Sequence, residues 1–335
     1  MRNIMVLAGG LSHERDVSLR SGRRVADALT RSGAEVHVRD VDKTLVGAIR
    51  STRPEVVWPV LHGATGEDGA LRDVLESLGI TYVGSRPAPC HLTWDKPVAK
   101  ALLATAGVST PPGVALSHAT FRELGAPALL ESVVDLLGLP LAVKPARGGS
   151  ALGLTIVRDA ADLPSAMVVA YAYGDIVLIE RFIAGTEVAI SIVEDEEGRV
   201  QSLPAVEIVP DGGVYSYEAR YTAGATEFFT PARLGAGTAE SAAAASLTAY
   251  GVLGHRHLSR VDLIIDADER PWFLEANVSP GMTETSLLPM ALEAAGLDQS
   301  AVYAGIVERT LTTSQGWFWS RLEGRARYGC RRSVN

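Results

Sequence analysis

The chain has 335 residues, 47 % of them hydrophobic and 21 % charged, with a formal net charge of -8. That length and composition fit two or three compact units with sizeable cores and exclude a disordered chain. The acidic balance argues against a sequence-independent nucleic-acid binder, which needs a basic surface, yet allows a local basic pocket for phosphates. The two cysteines, Cys90 and Cys330, lie far apart in sequence and support neither a disulfide framework nor a cysteine metal site. The N-terminal apolar run, Ile4 to Leu7, is too short for a signal peptide, and no run approaches transmembrane length. A cytoplasmic protein without a membrane partner is expected.

Along residues 1–92 strand and helix alternate. Ile4 to Leu7 reads as a strand ending at Gly9-Gly10. Val25, Ala26 and Leu29 recur at helical spacing, and Gly33 stops that helix. Glu35 to Val38 and Val56 to Leu61 read as further strands, Leu71 to Leu78 as a helix closed by Gly79, and Ile80 to Val83 as a fourth strand. This rhythm predicts a small parallel sheet with ligand groups at the strand C-terminal ends.

Asp95 caps a predicted helix that runs to Ala106, and Pro111-Pro112 breaks the chain after it. A helix over about 129–137, strands over 141–144 and 154–157, a helix over 163–173 and a strand over 176–179 follow. From Thr186 the alternation of Val188, Ile190 and Ile192, then of Val206 and Ile208, predicts antiparallel strands. The stretch from Pro210 to Pro231 is rich in Gly, Tyr and Thr, and a connection of that length is expected to be functional or disordered. A helix over 238–253, a strand pair within 258–278, and helices over 287–295 and up to about 311 complete the pattern. Residues 312–335, with Trp317, Trp319 and five arginines, show no clear pattern.

The strand pair carries the most chemistry. Setting Leu263 against Leu274 and Ile265 against Trp272 places Asp262 opposite Glu275, with Asn277 two residues on and on the same side. Two carboxylates and an amide oxygen that converge would repel one another unless a cation joins them. An all-oxygen set with open positions suits Mg²⁺ shared with phosphates, although an ordinary solvated strand face would read similarly. Lys144 ends an apolar strand just before the turn Arg147-Gly148-Gly149-Ser150, whose amides are able to cradle phosphate oxygens. Taken singly it is a plain turn. Lys96 opens a helix, where a lysine opposes the helix dipole, so a functional role gains weight. Glu14 and His62 follow strands of the parallel sheet, at its ligand-binding edge. Taken alone, Glu14 is more often a helix N-terminal acid.

Together these segments resemble the D-alanine–D-alanine ligases of the ATP-grasp superfamily. The resemblance runs to about residue 311. It rests on Ser12 to Leu19 (SHERDVSL) after Gly9-Gly10, Leu61 to Gly69 (LHGATGEDG), Gly84-Ser85, Asp95-Lys96, Val143 to Gly153 (VKPARGGSALG), Glu187, Tyr215 to Leu234 (YSYEARYTAGATEFFTPARL) and Leu274 to Pro289 (LEANVSPGMTETSLLP).

It implies an α/β fold, α+β in its C-terminal part, with three domains: an N-terminal α/β domain over 1–92, a central ATP-grasp subdomain over 93–182, and a C-terminal subdomain over 183–311 with a lid over 210–234. Residues 312–335 remain a tail of unknown role. ATP would lie between the central and C-terminal parts. Lys96 and Lys144 would touch its phosphates, Glu180, Phe182 and Ile183 its adenine, and Glu187 its ribose. Arg220, where a lysine is usual, counts with the ATP-binding residues. Asp262, Glu275 and Asn277 would bind two Mg²⁺, with Mn²⁺ as an alternative. Glu14 would orient the first D-amino acid, with His62 beside the substrate. Tyr221 would join Ser150 and Glu14 and close the site. Arg260 and the Gly281 amide would stabilise the oxyanion, and Ser286 and Leu287 would hold the second carboxylate.

Ala151 and Gly148 depart from the family's common pattern. Tyr221 goes with peptide-forming members, whereas Phe there goes with ester-forming relatives. The implied activity is ATP-dependent joining of two D-alanines through an acyl phosphate, for peptidoglycan precursors, by a homodimer. The alternatives are a relative that ligates or cyclises another D-amino acid, and a non-catalytic nucleotide sensor.

Overall fold

β1 (Asn3–Leu7), β2 (Glu35–Arg39) and β3 (Val56–Pro59) form a parallel sheet in the order β2-β1-β3. β1 is apolar from Ile4 to Leu7 because both its faces are covered there: Ile4 and Val6 enter one core, Met5 and Leu7 another. Crossovers run through α1 (Arg15–Arg31) and α2 (Leu45–Thr52). The structure, a computed structural model, describes residues 1–222 and 224–328; the side chains of Tyr221 and of residues 314–328 lie outside the described set, as do residues 329–335.

Next come α3 (Ala64–Glu67), α4 (Ala70–Ser77), α5 (Pro87–Trp94) and α6 (Lys96–Thr105). The expected strand over Ile80 to Val83 is not formed. The segment contributes only an isolated bridge, Val57 with Tyr82, before Gly84 turns the chain at φ +101°. The cap is as expected: the Asp95 side chain accepts from the Val98 amide at 3.3 Å.

β4 (Gly113–Ser117), α7 (His118–Leu124), α8 (Ala126–Leu137), β5 (Leu141–Pro145), β6 (Thr155–Val157), α9 (Leu163–Tyr171) and β7 (Ile176–Arg181) build a second sheet, antiparallel, ordered β4-β7-β5-β6. Alternation divides its residues. Leu141, Val143, Val177 and Ile179 pack under α8 and α9, which leaves Ala142, Lys144 and Glu180 for the other face.

The third sheet is also antiparallel. It comprises β8 (Thr186–Glu194), β9 (Val200–Ser202), β10 (Val206–Pro210), β11 (Thr226–Phe229), β12 (Leu258–Ile265) and β13 (Pro271–Asn277), ordered β11-β10-β8-β12-β13 with β9 beside β8. α10 (Tyr217–Tyr221) and β11 lie within the long connection from Pro210 to Pro231, so part of it is regular structure. α11 (Ala236–Val252) covers one face, against Val188, Ile190, Val261, Leu263 and Phe273. α12 (Leu287–Ala294) and α13 (Gln299–Tyr328) cover part of the other and share a core with the N-terminal sheet. Trp58 of β3 meets Tyr303 of α13 edge to face, centroids 5.2 Å apart. The last helix does not stop near Leu311 as expected; α13 continues through Tyr328.

The β12–β13 register corrects one expectation. Asp262 does face Glu275, and Arg260 faces Asn277, but a bulge shifts the ladder beyond Asp262: Leu263 pairs with Phe273 and Ile264 with Trp272. Leu274 is the extra residue. The bulge turns Phe273 into the core beside Leu263 and leaves Leu274 on the cleft face next to Glu275.

Candidate active site

Two clefts meet between the second and third sheets. One, of about 390 Å³, is lined by Lys144 and Glu180 of the second sheet, by Phe182, Ile183 and Glu187, and by Asp262 and Glu275 of the third. The other, of about 540 Å³, is lined by Glu14, His62, Ser150, Arg260, Asn277, Gly281, Ser286 and Leu287. Lys96, Gly148, Gly149, Tyr215, Arg220 and Glu275 border both. All the expected site residues are therefore brought to one connected space, except that the side chain of Tyr221 lies outside the described residues.

The turn after β5 is pinned from two sides. Arg147 pairs with Asp95 at 2.9 Å, and the Lys96 amide donates to Ala146 O at 3.0 Å. Gly148 takes φ +141°, and Ser150 and Ala151 take φ +52° and +55°, conformations that L side chains seldom adopt. This holds Ser150 Oγ 2.5 Å from Glu14 Oε1, across 136 residues of sequence. Lys96 Nζ donates to Gly148 O at 2.6 Å and lies 3.2 Å from Glu275. Lys144 pairs with Glu180 at 2.5 Å.

Arg260 grips Asp262 with two bonds, Nε to Oδ1 at 2.7 Å and Nη2 to Oδ2 at 2.8 Å. Both are buried, so the pair is held in one geometry. Asn277 Oδ1 accepts from the Ser279 amide at 2.7 Å. Ser286 stands at the N-cap of α12 and leaves its cap bond unmade. Its Oγ accepts from the Thr283 amide at 3.0 Å instead. A Cβ on Gly281 would meet that Oγ at 2.7 Å, so a side chain there would displace the Ser286 hydroxyl from the Thr283 amide.

Electrostatics differ between carboxylates. Burial would raise the pKa of Glu275, but Lys96, Arg220, Lys144 and Arg260 outweigh it and hold it at about 2. Glu187 is pushed up to about 7 by desolvation, against Arg220. Glu67, which the sequence reading did not single out, lines the second cleft and is pushed up to about 8 by burial and by Glu14. Its Oε1 accepts from the Gly63 amide at 2.8 Å. Burial lowers the pKa of His62, whose Nδ1 lies 3.0 Å from Ser279 O. Lys100 is a second omission: it pairs with the other oxygen of Glu180.

Among the described residues no three His, Cys, Asp or Glu side chains cluster as a metal site. Asp262, Glu275 and the Asn277 amide oxygen remain a hard, all-oxygen set beside Lys96, Lys144 and Arg220. That chemistry fits Mg²⁺ shared with phosphate ligands.

The sheets, the glycine-rich turn and the paired clefts define an ATP-grasp ligase. The family described as D-ala D-ala ligase C-terminus matches residues 102–308. A D-alanine–D-alanine ligase of Bordetella petrii is 40 % identical over 302 residues, 90 % of each chain. One of Desulforudis audaxviator is 41 % identical over 318 residues, 94 % of this chain and 99 % of the relative. Among solved structures, a Bacillus anthracis D-alanine–D-alanine ligase complexed with ATP matches with TM-score 0.77 at 30 % identity, over 94 % of this chain and 99 % of that one. The VanG D-Ala:D-Ser ligase from Enterococcus faecalis matches with TM-score 0.80 at 26 % identity, over 92 % and 99 %. The chain belongs to the D-alanine–D-alanine ligase family.

Proposed function

We propose that this chain joins two D-alanines into D-alanyl-D-alanine, driven by ATP, as a step in cell-wall precursor synthesis. The observation that carries the reading is the junction of the two clefts. A nucleotide-sized cleft that presents Lys96, Lys144 and Arg220 opens onto a second cleft through Lys96, Gly148, Gly149, Arg220 and Glu275. A phosphoryl group is thereby able to pass from one ligand to a carboxylate in the other.

Lys96, Lys144 and the Gly148–Gly149 amides would hold the triphosphate, Glu180, Phe182 and Ile183 the base, and Glu187 the ribose, with Arg220 closing over the cleft. Asp262, Glu275 and Asn277 would hold Mg²⁺, two ions when both positions fill. When bound, the metal neutralises charge on the transferring phosphate. Glu14, fixed by Ser150, would pair with the ammonium of the first D-alanine, with His62 alongside. The amine of the second attacks the acyl phosphate carbonyl, the oxyanion that develops needs donors, Arg260 and the Gly281 amide, and its collapse breaks the C–O bond and releases inorganic phosphate. Ser286, Leu287 and the N-terminus of α12 would hold the second carboxylate. The lid over 210–234, with Tyr221, would exclude water, which otherwise hydrolyses the acyl phosphate. We further assign the chain to three domains with the boundaries given above, and to a homodimer acting on small molecules in the cytoplasm. No helix among the described residues is long and apolar enough to cross a membrane.

The VanG neighbour favours a second reading, in which the second substrate is not D-alanine. Phosphate release from ATP and Mg²⁺ with a panel of D- and L-amino acids, followed by product mass, separates the two. Release with D-alanine alone and a dipeptide mass supports the first reading. Release only with a different or mixed pair supports the second. Silence throughout rejects both.

A further inference from the structure

Glu180 is paired with more positive charge than it needs. Its carboxylate is 2 % exposed and meets two ammonium groups, Lys144 on Oε1 at 2.5 Å and Lys100 on Oε2. One negative charge is shared by two positive ones. The lysines differ in what else they reach. Lys144, at the end of β5, lines the nucleotide cleft, as does Glu180. Lys100, one turn into α6 from Lys96, lines neither cleft and is buried. Burial lowers its pKa to about 8 even though Glu180 opposes the shift, and Lys144 lowers it further. The two ammonium groups thus repel each other across the carboxylate they share.

A buried carboxylate stripped of its counter-charge is strongly unfavourable. If Lys144 were the sole partner of Glu180, a phosphate could recruit it only by leaving that carboxylate exposed to this penalty. With Lys100 in place, Glu180 stays neutralised whichever way Lys144 turns, and the surplus charge is directed at the cleft.

We propose that Lys100 is a positioning residue for the nucleotide: it holds Glu180 so that Lys144 is released to the phosphate chain. The inference rests on the reading that this cleft binds ATP.

The test titrates the full-length protein with ATP, ADP and adenosine by calorimetry, with MgCl₂ present throughout. In Lys100→Met the one remaining lysine stays on Glu180. Affinity for ATP and ADP falls about tenfold, the scale of one charge-assisted hydrogen bond, while adenosine changes by less than about twofold. Equal losses for ATP and adenosine, or no loss for ATP, would overturn the proposal, because a merely structural lysine does not discriminate by phosphate. The double variant Lys100→Met/Glu180→Gln carries no unpaired buried carboxylate and keeps the test open if the single variant does not fold. Its ratio of ATP to adenosine affinity matches that of Glu180→Gln alone, since Lys100 acts only through the Glu180 charge. A lower ratio in the double variant rejects the mechanism. Failure of the wild-type chain to bind ATP overturns instead the reading on which the inference rests.

Discussion

Glu275 stays ionised through the neutral range, because four cations hold its pKa at about 2 against the pull of burial. A carboxylate kept charged at the junction of two clefts suits a metal ligand better than a proton carrier. Glu275→Ala therefore lowers ATP-dependent phosphate release by about 10³-fold, a loss of several kcal/mol of charge stabilisation. Near-normal turnover would remove Glu275 from the metal set. Arg260 makes a second, separable case. Lysine retains the charge but not the paired bonds to Asp262. Arg260→Lys lowers kcat by about 10²- to 10³-fold, the cost of one oxyanion donor, with the KM for ATP unchanged. A raised KM with intact kcat would place Arg260 in nucleotide binding instead. The residues on strands were legible in the sequence, because period-two alternation fixes which side chains share a face. Glu67 and Lys100 were not. Glu67 ends the single turn of α3 and is buried with its side chain turned back to the Gly63 amide at the start of that turn. Lys100, at i+4 from Lys96, reads as a solvated helix lysine until β7 supplies Glu180.

The bulge in β13 shows what an element adds beyond its residues. The ladder runs in one register through Arg260–Asn277 and Asp262–Glu275, then in another from Leu263–Phe273 onward. Removing Leu274 would join the two registers without turning any other side chain over, since Phe273 already faces the core and Glu275 the cleft. Deletion of Leu274 accordingly leaves a folded protein with a single cooperative melt, yet weakens ATP binding through the lost apolar wall of the cleft. Deletion that abolishes folding would mean that the bulge sets the twist of the sheet and not merely the position of one side chain. A bulge of this kind is hard to read from sequence: Leu274 and Phe273 are both apolar, so either satisfies the alternation. The long elements were legible for the opposite reason. Helices such as α1 and α11 and the runs in β1, β5 and β8 carry many concordant signals. Ile80 to Val83 has strand composition but only one partner within reach, so it adds one bridge and no strand.

At the scale of the whole molecule, buried titratable groups pull in opposite directions with pH. Three histidines are held neutral by burial: His62, His255 with its pKa at about 3, and His257 well below the ordinary value. His255 faces Thr93 Oγ1 at 2.8 Å, while Nδ1 of His257 accepts from the Gly84 amide at 3.0 Å and lies 3.2 Å from Thr310 Oγ1. They clasp the first ninety-odd residues to the third sheet and α13. A histidine whose folded pKa is depressed stabilises above its unfolded value of 6.5, and that stability is lost as pH falls below it. Glu67 and Glu187 behave in the reverse sense. Their folded values of about 8 and about 7 lie above the unfolded 4.5, so their stabilising effect is complete below pH 4.5 and lost as pH rises toward the folded values. From pH 6.5 to about 8 the glutamates act alone, and stability falls with rising pH; Lys100, held at about 8, opposes them only above that. Below it three histidines oppose two glutamates, and stability falls with acid. Denaturation midpoints measured from pH 4.5 to 8 should therefore peak at about pH 6.5, the ordinary histidine value. Glu67→Gln, which keeps the acceptor for Gly63 without the charge, flattens the alkaline limb and steepens the acid limb, where Glu67 had opposed the histidines. His257→Asn, whose side chain tolerates the left-handed backbone at φ +70°, flattens the acid limb and leaves the alkaline limb alone. Each removes up to about 1.4 kcal/mol per pH unit from its limb, the linkage of one proton. A profile that is flat in the wild type, or variants that shift it evenly at all pH values, would mean that these groups exchange no protons on unfolding.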